Sequence, residues 1–151
     1  MPEDLYLEAI DNDCIFCQVV VRQKSGSIVF EDEISLAFLD HRPLFPGHCL
    51  LVPKKHFETL ADLPGELIGP FFLNVQLLAR AVESGLGAEG SFVAMNNRIS
   101  QSVPHFHVHV VPRRKKDGLK GFFWPRTKYS SELEITEVQN RIAEAIAAIK
   151  H

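Results

Sequence analysis

The stretch His105-Phe106-His107-Val108-His109 carries an imidazole at every second position. Side chains of an extended chain alternate between faces, so the three rings share one face. Phe106, Val108 and Val110 then turn to the other, where they can enter a core. Two chemistries suit such a row. Neutral imidazole is a common metal ligand. It is also a nucleophile and proton-transfer group near neutral pH, one ring attacking while a neighbour moves protons. No Asp or Glu is interleaved with these histidines, and hydrolytic zinc sites often use a carboxylate as ligand or base. The balance therefore falls toward histidine as the reacting group. A second cluster, Cys14-Ile15-Phe16-Cys17, has C-x-x-C spacing, which alone fits zinc, a redox pair or neither. Redox pairs normally open a helix in a thioredoxin-like pattern, and that context is missing around these residues. A structural zinc needs about four ligands. With no second C-x-x-C in the chain, histidines must complete such a site.

Elements must hold these groups. Val19 to Val21 and Ile28 to Phe30, separated by Gln23-Lys24-Ser25-Gly26, read as a β-hairpin. Ser35 to Leu39 reads as a strand ended by Asp40-His41-Arg42-Pro43, and His48 to Pro53 as another entered through Pro46-Gly47. Leu63, Leu67, Phe71, Val75, Leu78 and Val82 then recur at helical spacing. Pro64 fits the first turn; Pro70 predicts a kink or a later start, and Gly85 a stop. Ser91 to Met95 and His105 to Val111 alternate as strands. Ser131 to Glu134 has capping-box spacing ahead of an amphipathic helix marked by Ile135, Val138, Ile142, Ile146 and Ile149. Strands with short turns interspersed with helices predict an α+β class with antiparallel pairing.

The chain has 151 residues with 46% hydrophobic and 23% charged residues, enough to bury one core without metal or disulfide staples. A formal net charge of −3 argues against a dedicated nucleic-acid binder. Three cysteines do not suit a disulfide framework, no apolar run approaches a membrane span, and the opening MPEDLYLEAI lacks a signal-peptide pattern. A reducing, cytoplasmic setting is expected. Residues 1–13 read as an extension and 14–114 as the domain core. Residues 115–151 read as an aromatic loop and a C-terminal helix completing the same domain. The basic runs Arg113 to Lys116 and Lys54-Lys55 read as solvated loops, with polyphosphate attraction as the alternative. Phe122, Phe123 and Trp124 read as packing residues.

The segment Gln101-Ser102-Val103-Pro104-His105-Phe106-His107-Val108-His109-Val110-Val111-Pro112-Arg113 resembles the signature of the histidine-triad (HIT) family. Cys14-Ile15-Phe16-Cys17 is similar to the N-terminal element of bacterial members. Phe38-Leu39-Asp40 resembles the family's ribose-binding strand, and Pro46-Gly47-His48 through Pro53-Lys54-Lys55-His56 the strand and turn that follow. The resemblance spans roughly residues 13–114 in the family's order. It implies an antiparallel sheet of about five strands with a central and a C-terminal helix, paired into a homodimer. It also implies attack on the α-phosphate of a purine nucleotide conjugate, a phosphoramidate or a dinucleoside polyphosphate. His107 would be the nucleophile, His109 a contact to phosphate or leaving group, and His48 a support for the nucleophile. Asp40 would accept the ribose hydroxyls. Ile15, Phe16 and Phe38 would form the base pocket, and Asn96 (or Asn97), Gln101 and Ser102 would contact the nucleotide. The resemblance also implies the metal set Cys14, Cys17, His56 and His105 around a structural zinc. Ser100 departs from the family's usual Gly, and the stretch at Arg98-Ile99 is shorter, which bears on the leaving group. Two rivals stand beside this reading: a zinc hydrolase with the triad as ligands, and a nucleotide-binding adaptor with little turnover. Cys49 is read as core, and His41 and His151 have no assigned role.

Overall fold

The computed structural model describes residues 11–119 and 126–150. Phe122, Phe123, Trp124, His151 and most of the N-terminal extension lie outside the described residues. The chain forms two compact units, one ending at Asp117 and the other starting at Gly118.

The first unit is a five-stranded antiparallel sheet in the order β1-β2-β3-β5-β4. Its strands are β1 Ile28–Glu31, β2 Ser35–Leu39, β3 Cys49–Pro53, β4 Gly90–Ala94 and β5 Val108–Arg113. A short helix α1, Ile15–Val20, precedes them, and the long helix α2, Gly65–Leu86, links β3 to β4. The class is α+β, as the periodicities predict. Phe71, Val75, Leu78 and Val82 of α2 bury their stripe on one sheet face against Ala37, Leu51, Phe106, Val108 and Val110. Phe16, Cys17 and Val19 of α1 cover the opposite face, on Leu36, Phe38, Leu50 and Val52.

Four local expectations are corrected. Val19 and Val20 belong to helix α1, not to a hairpin strand. Their β-branched side chains favour strand only weakly, and burial of the α1 face outweighs that preference. The helix also puts Cys14 at its N-cap, its sulfur accepting from the Cys17 N–H at 3.4 Å, so the C-x-x-C does open a helix. Helix α2 runs through Pro70, which is exposed, and ends at Gly87 in the left-handed conformation (φ 62°) rather than at Gly85. Strand β5 begins at Val108 rather than His105. The backbone before it is spoken for by loops: the His105 N–H donates to the Val103 carbonyl and the Phe106 N–H to that of Phe57. The alternation survives, since Phe106, Val108 and Val110 enter the core beneath α2.

The basic run is turn structure. Arg113 pairs with Asp117, Arg114 donates to the Leu86 carbonyl, and the Lys115 N–H reaches Glu89. In the second unit, α3 covers Glu132–Lys150 and has no buried residue. The Ser131 hydroxyl caps the Glu134 N–H, while the Glu134 carboxylate returns to Ser130.

Gly47 precedes the His48–Pro53 segment with φ 99°, and a Cβ there would collide with Leu86 Cδ1. Gly47→Ala is expected to destabilise the protein by about 1–2 kcal/mol, chiefly through backbone strain at positive φ, since the exposed Leu86 side chain can turn aside. Urea denaturation of the two proteins measures it, and an unchanged midpoint would contradict this role for Gly47.

Candidate active site and metal centre

Four donor side chains converge behind the triad. Cys14 and Cys17 Sγ approach His105 Nδ1 at 3.4 and 3.5 Å, and Cys17 Sγ approaches His56 Nδ1 at 3.4 Å. All four ligand atoms lie within 4.8 Å of one another. Cys14, Cys17 and His105 are buried. A tetrahedral zinc with Zn–S near 2.3 Å and Zn–N near 2.0 Å sets its S and N ligands about 3.5 Å apart, so the donor set and its spacing fit that ion. The His105 Nε2–H donates to the Pro53 carbonyl at 2.9 Å. This leaves Nδ1, facing the sulfurs, as the lone pair. The Cys14 thiol is drawn well down, chiefly by the hydrogen bond from Cys17 and also by His105, while burial opposes. Cys17, the partner in that bond, is pushed up.

His107 and His109 face a cavity of about 840 Å³. His107 is buried; its Nδ1–H donates to the His105 carbonyl at 2.7 Å, which turns Nε2 outward as a lone pair. His109 is arranged the opposite way. The Leu44 N–H donates to His48 Nδ1 at 3.1 Å, so a neutral His48 carries its proton on Nε2. That proton bridges to His109 Nδ1 at 2.9 Å. His109 must then hold its own proton on Nε2. Burial lowers the pKa of all three rings. His107 is opposed in this by the His105 carbonyl and His48 by Asp40. His109 falls to about 4 through burial and its neighbours His107 and His48. All three are neutral at pH 7. The cavity thus meets a lone pair and an N–H donor side by side, their ring centroids 5.0 Å apart.

His48 therefore contacts His109, two residues beyond the ring it was expected to support. Asp40 also joins this chain, its Oδ2 3.7 Å from His48 Nε2, while its Oδ1 accepts from the Arg42 N–H. Asp40, His48 and His109 could by type hold a metal. The His48–His109 hydrogen bond instead occupies the two facing nitrogens with a proton.

Phe16 packs edge-on against Phe38 at 5.4 Å and against His107 at 5.0 Å. With Ile15 and Leu50 these rings make the apolar wall, and Asp40 and Ser102 line the same cavity. Asn96, Asn97 and Gln101 do not line it. The Asn96 amide donates to the Ser100 carbonyl, Asn97 Oδ1 accepts from the Leu60 N–H, and Gln101 bridges the Arg98 N–H and the Glu58 carbonyl. They brace a loop in which Arg98 and Ser100 take left-handed backbone, φ 69° and 58°. Residues 24–27 and His41, to which no role was assigned from the sequence, do line the cavity. Reading residues 19–30 as a hairpin hid the former, since it set Lys24 to Gly26 at a distal turn.

The family model for the HIT domain matches residues 21–116. An adenylylsulfatase from Arabidopsis thaliana is 31% identical over 112 residues, which are 73% of this chain and 57% of that protein. An adenosine 5'-monophosphoramidase from Schizosaccharomyces pombe is 33% identical over 135 residues, 88% of this chain and 98% of that one. A zinc-bound histidine-triad family protein from Mycobacterium smegmatis superposes with a TM-score of 0.68 at 34% identity, covering 90% of this chain and 97% of its own.

The pH dependence of stability follows from the buried rings. His109, facing His107, His48 and Asp40, takes up its proton in the unfolded chain near 6.5 but in the folded protein only near 4. The unfolded state binds that proton first, so stability falls as pH drops from about 6.5 to 4. Denaturation at pH 7, 6 and 5 should show the fall, with a shallower slope in His109→Gln. An equal slope in that variant would contradict the shift.

Proposed function

The chain belongs to the HIT family, and from that premise we propose that it is a nucleotide hydrolase or nucleotidyl transferase. It attacks the α-phosphate of a purine nucleotide conjugate, a phosphoramidate or dinucleoside polyphosphate. The observation that carries this reading is the opposed hydrogen bonding of His107 and His109 at one cavity wall. A neutral ring with its lone pair exposed is a nucleophile. In the first step His107 Nε2 gives its pair to phosphorus, the bond to the leaving group breaks with its electrons, and a nucleotidyl-imidazole results. The ring gains positive charge, which the His105 carbonyl at Nδ1–H stabilises. The His109 Nε2–H donates to a phosphoryl or leaving-group oxygen or nitrogen as charge develops there. Water then attacks phosphorus, the P–N bond breaks with its electron pair returning to His107 Nε2, the water's proton passes to solvent, and the nucleoside monophosphate leaves. Asp40 accepts from the ribose hydroxyls, and Ile15, Phe16 and Phe38 hold the base. Two relatives named as a sulfatase and a phosphoramidase of adenylyl compounds support the reaction class.

Zinc is the metal proposed for Cys14, Cys17, His56 and His105. When bound it serves as a structural crosslink, because four protein ligands leave no open position. The same residues tie α1, and with it the Phe16 wall, to the start of the histidine segment. None of the three cysteines forms a disulfide with another, which suits a reducing, cytoplasmic setting. Among the described residues no helix is long and apolar enough to cross a membrane. A homodimer belongs to the same reading; β4 is an edge strand of the sheet, and an edge strand is where a second copy can add.

Rapid-quench trapping with a labelled purine nucleoside phosphoramidate should yield a nucleotidyl adduct on the wild type and none on His107→Ala. The variant's turnover should fall roughly a thousandfold or more; comparable turnover would sink the nucleophile assignment. For the metal, plasma emission analysis should find about one zinc per wild-type chain. Cys14→Ser should lose that zinc and melt at lower temperature, and unchanged zinc content would count against the site.

A further inference from the structure

The cavity crosses the sheet, and its far end carries a polar segment that the reaction does not use. Ile28 of β1 pairs with Phe38 of β2, Phe38 with Leu50 of β3, and Leu50 with His109 of β5. These residues form one row on the face that α1 covers. Three strand spacings of about 4.8 Å separate the β1 end of that row from His109 by roughly 14 Å. A nucleotide with its phosphate at His109 and its base toward β1 fits within that span. Residues 24–27 lead directly into β1 at this end and line the cavity. Gly26 lies against Val19 and Phe38, on the apolar wall itself.

The segment is anchored. The Gln23 and Lys24 N–H groups both donate to the Gln18 carbonyl at the end of α1, and the Ser27 carbonyl accepts from the Leu39 N–H. Its one cation, Lys24, differs from the nearby Arg22. Arg22 is paired with Glu31. Lys24 has no ion pair among the described residues and lines the cavity.

Resting on the nucleotide reading above, we propose that Lys24, flanked by the Ser25 and Ser27 hydroxyls, reads the edge of the purine and favours 6-oxopurines over adenine. An ammonium group only donates. Guanine and hypoxanthine present two acceptors, O6 and N7, on one edge. Adenine presents N7 beside an amino group, which is itself a donor and faces the ammonium unfavourably. The serine hydroxyls donate or accept and so tolerate either base; Lys24 supplies the discrimination.

Guanosine, inosine and adenosine 5'-phosphoramidates, assayed in parallel on wild type and Lys24→Met, test this. The wild type should favour guanosine and inosine over adenosine in kcat/KM by about fivefold to tenfold. In Lys24→Met, which keeps an unbranched apolar stem and loses the ammonium donors, the ratios should approach one. Calorimetry with the three monophosphates should follow the same order. Equal use of all three bases by the wild type, or a ratio that persists in Lys24→Met, overturns the assignment while leaving the nucleotide reading standing. A preference for guanosine without inosine also overturns it, because the discrimination then lies at the 2-amino group. Failure of every monophosphate to bind overturns the nucleotide reading, and this inference with it.

Discussion

A neutral imidazole owns one N–H and one lone pair, and burial obliges each to find a partner or a ligand. In this chain the backbone claims one nitrogen of three of the histidines. The Pro53 carbonyl takes the Nε2–H of His105, the His105 carbonyl takes the Nδ1–H of His107, and the Leu44 N–H fills Nδ1 of His48. Each claim decides what the other nitrogen can do. His105 turns a lone pair to the cysteines, His107 turns one to the cavity, and His48 donates its Nε2–H to His109. The roles proposed for them, as metal ligand, nucleophile and proton donor, are thus divided among chemically identical side chains by three backbone groups. Among the described residues no buried side-chain nitrogen or oxygen lacks a hydrogen-bond partner, so the assignment costs no orphaned group.

The sheet makes that division possible. Its α2 face is filled by Phe106, Val108, Val110 and the helix stripe, which holds β5 at a fixed height. Among the described residues of the first unit, the other face is only partly covered, because α1 is six residues long. Phe16 and Val19 close it beside Cys14 and Cys17, and among the described residues of the first unit the remainder stays open as the cavity. A longer helix in that place would have sealed it. The short α1 leaves room for a ligand while its Cys14 cap and Cys17 stand at the back of the triad.

The strands, the long helix and the triad's shared face were legible because each rests on local periodicity. Phe71, Val75, Leu78 and Val82 repeat as a helix whatever packs on them, and His105, His107 and His109 alternate whether or not all three stand in a ladder. Where periodicity was short, reading failed. Val19-Val20 looks like strand in isolation, and only burial on Leu36, Phe38, Leu50 and Val52 makes it helical. The polar residues of the 96–102 loop were legible by type but not by direction. Asn97 and Gln101 serve loop backbone some 40 residues distant in sequence, a partnership that no local pattern encodes.

By itself the sequence determined the class of fold, the two chemical clusters and which side chains share a face, since these follow from spacing along one strand or one helix. Tertiary structure alone decided which ring nitrogen each histidine exposes, that His48 serves His109, and that Lys24 to Ser27 border the cavity. The reason is the same in each case. A tautomer or a cavity wall depends on groups from strands and turns far apart in the chain, and their meeting is fixed by packing rather than by propensity.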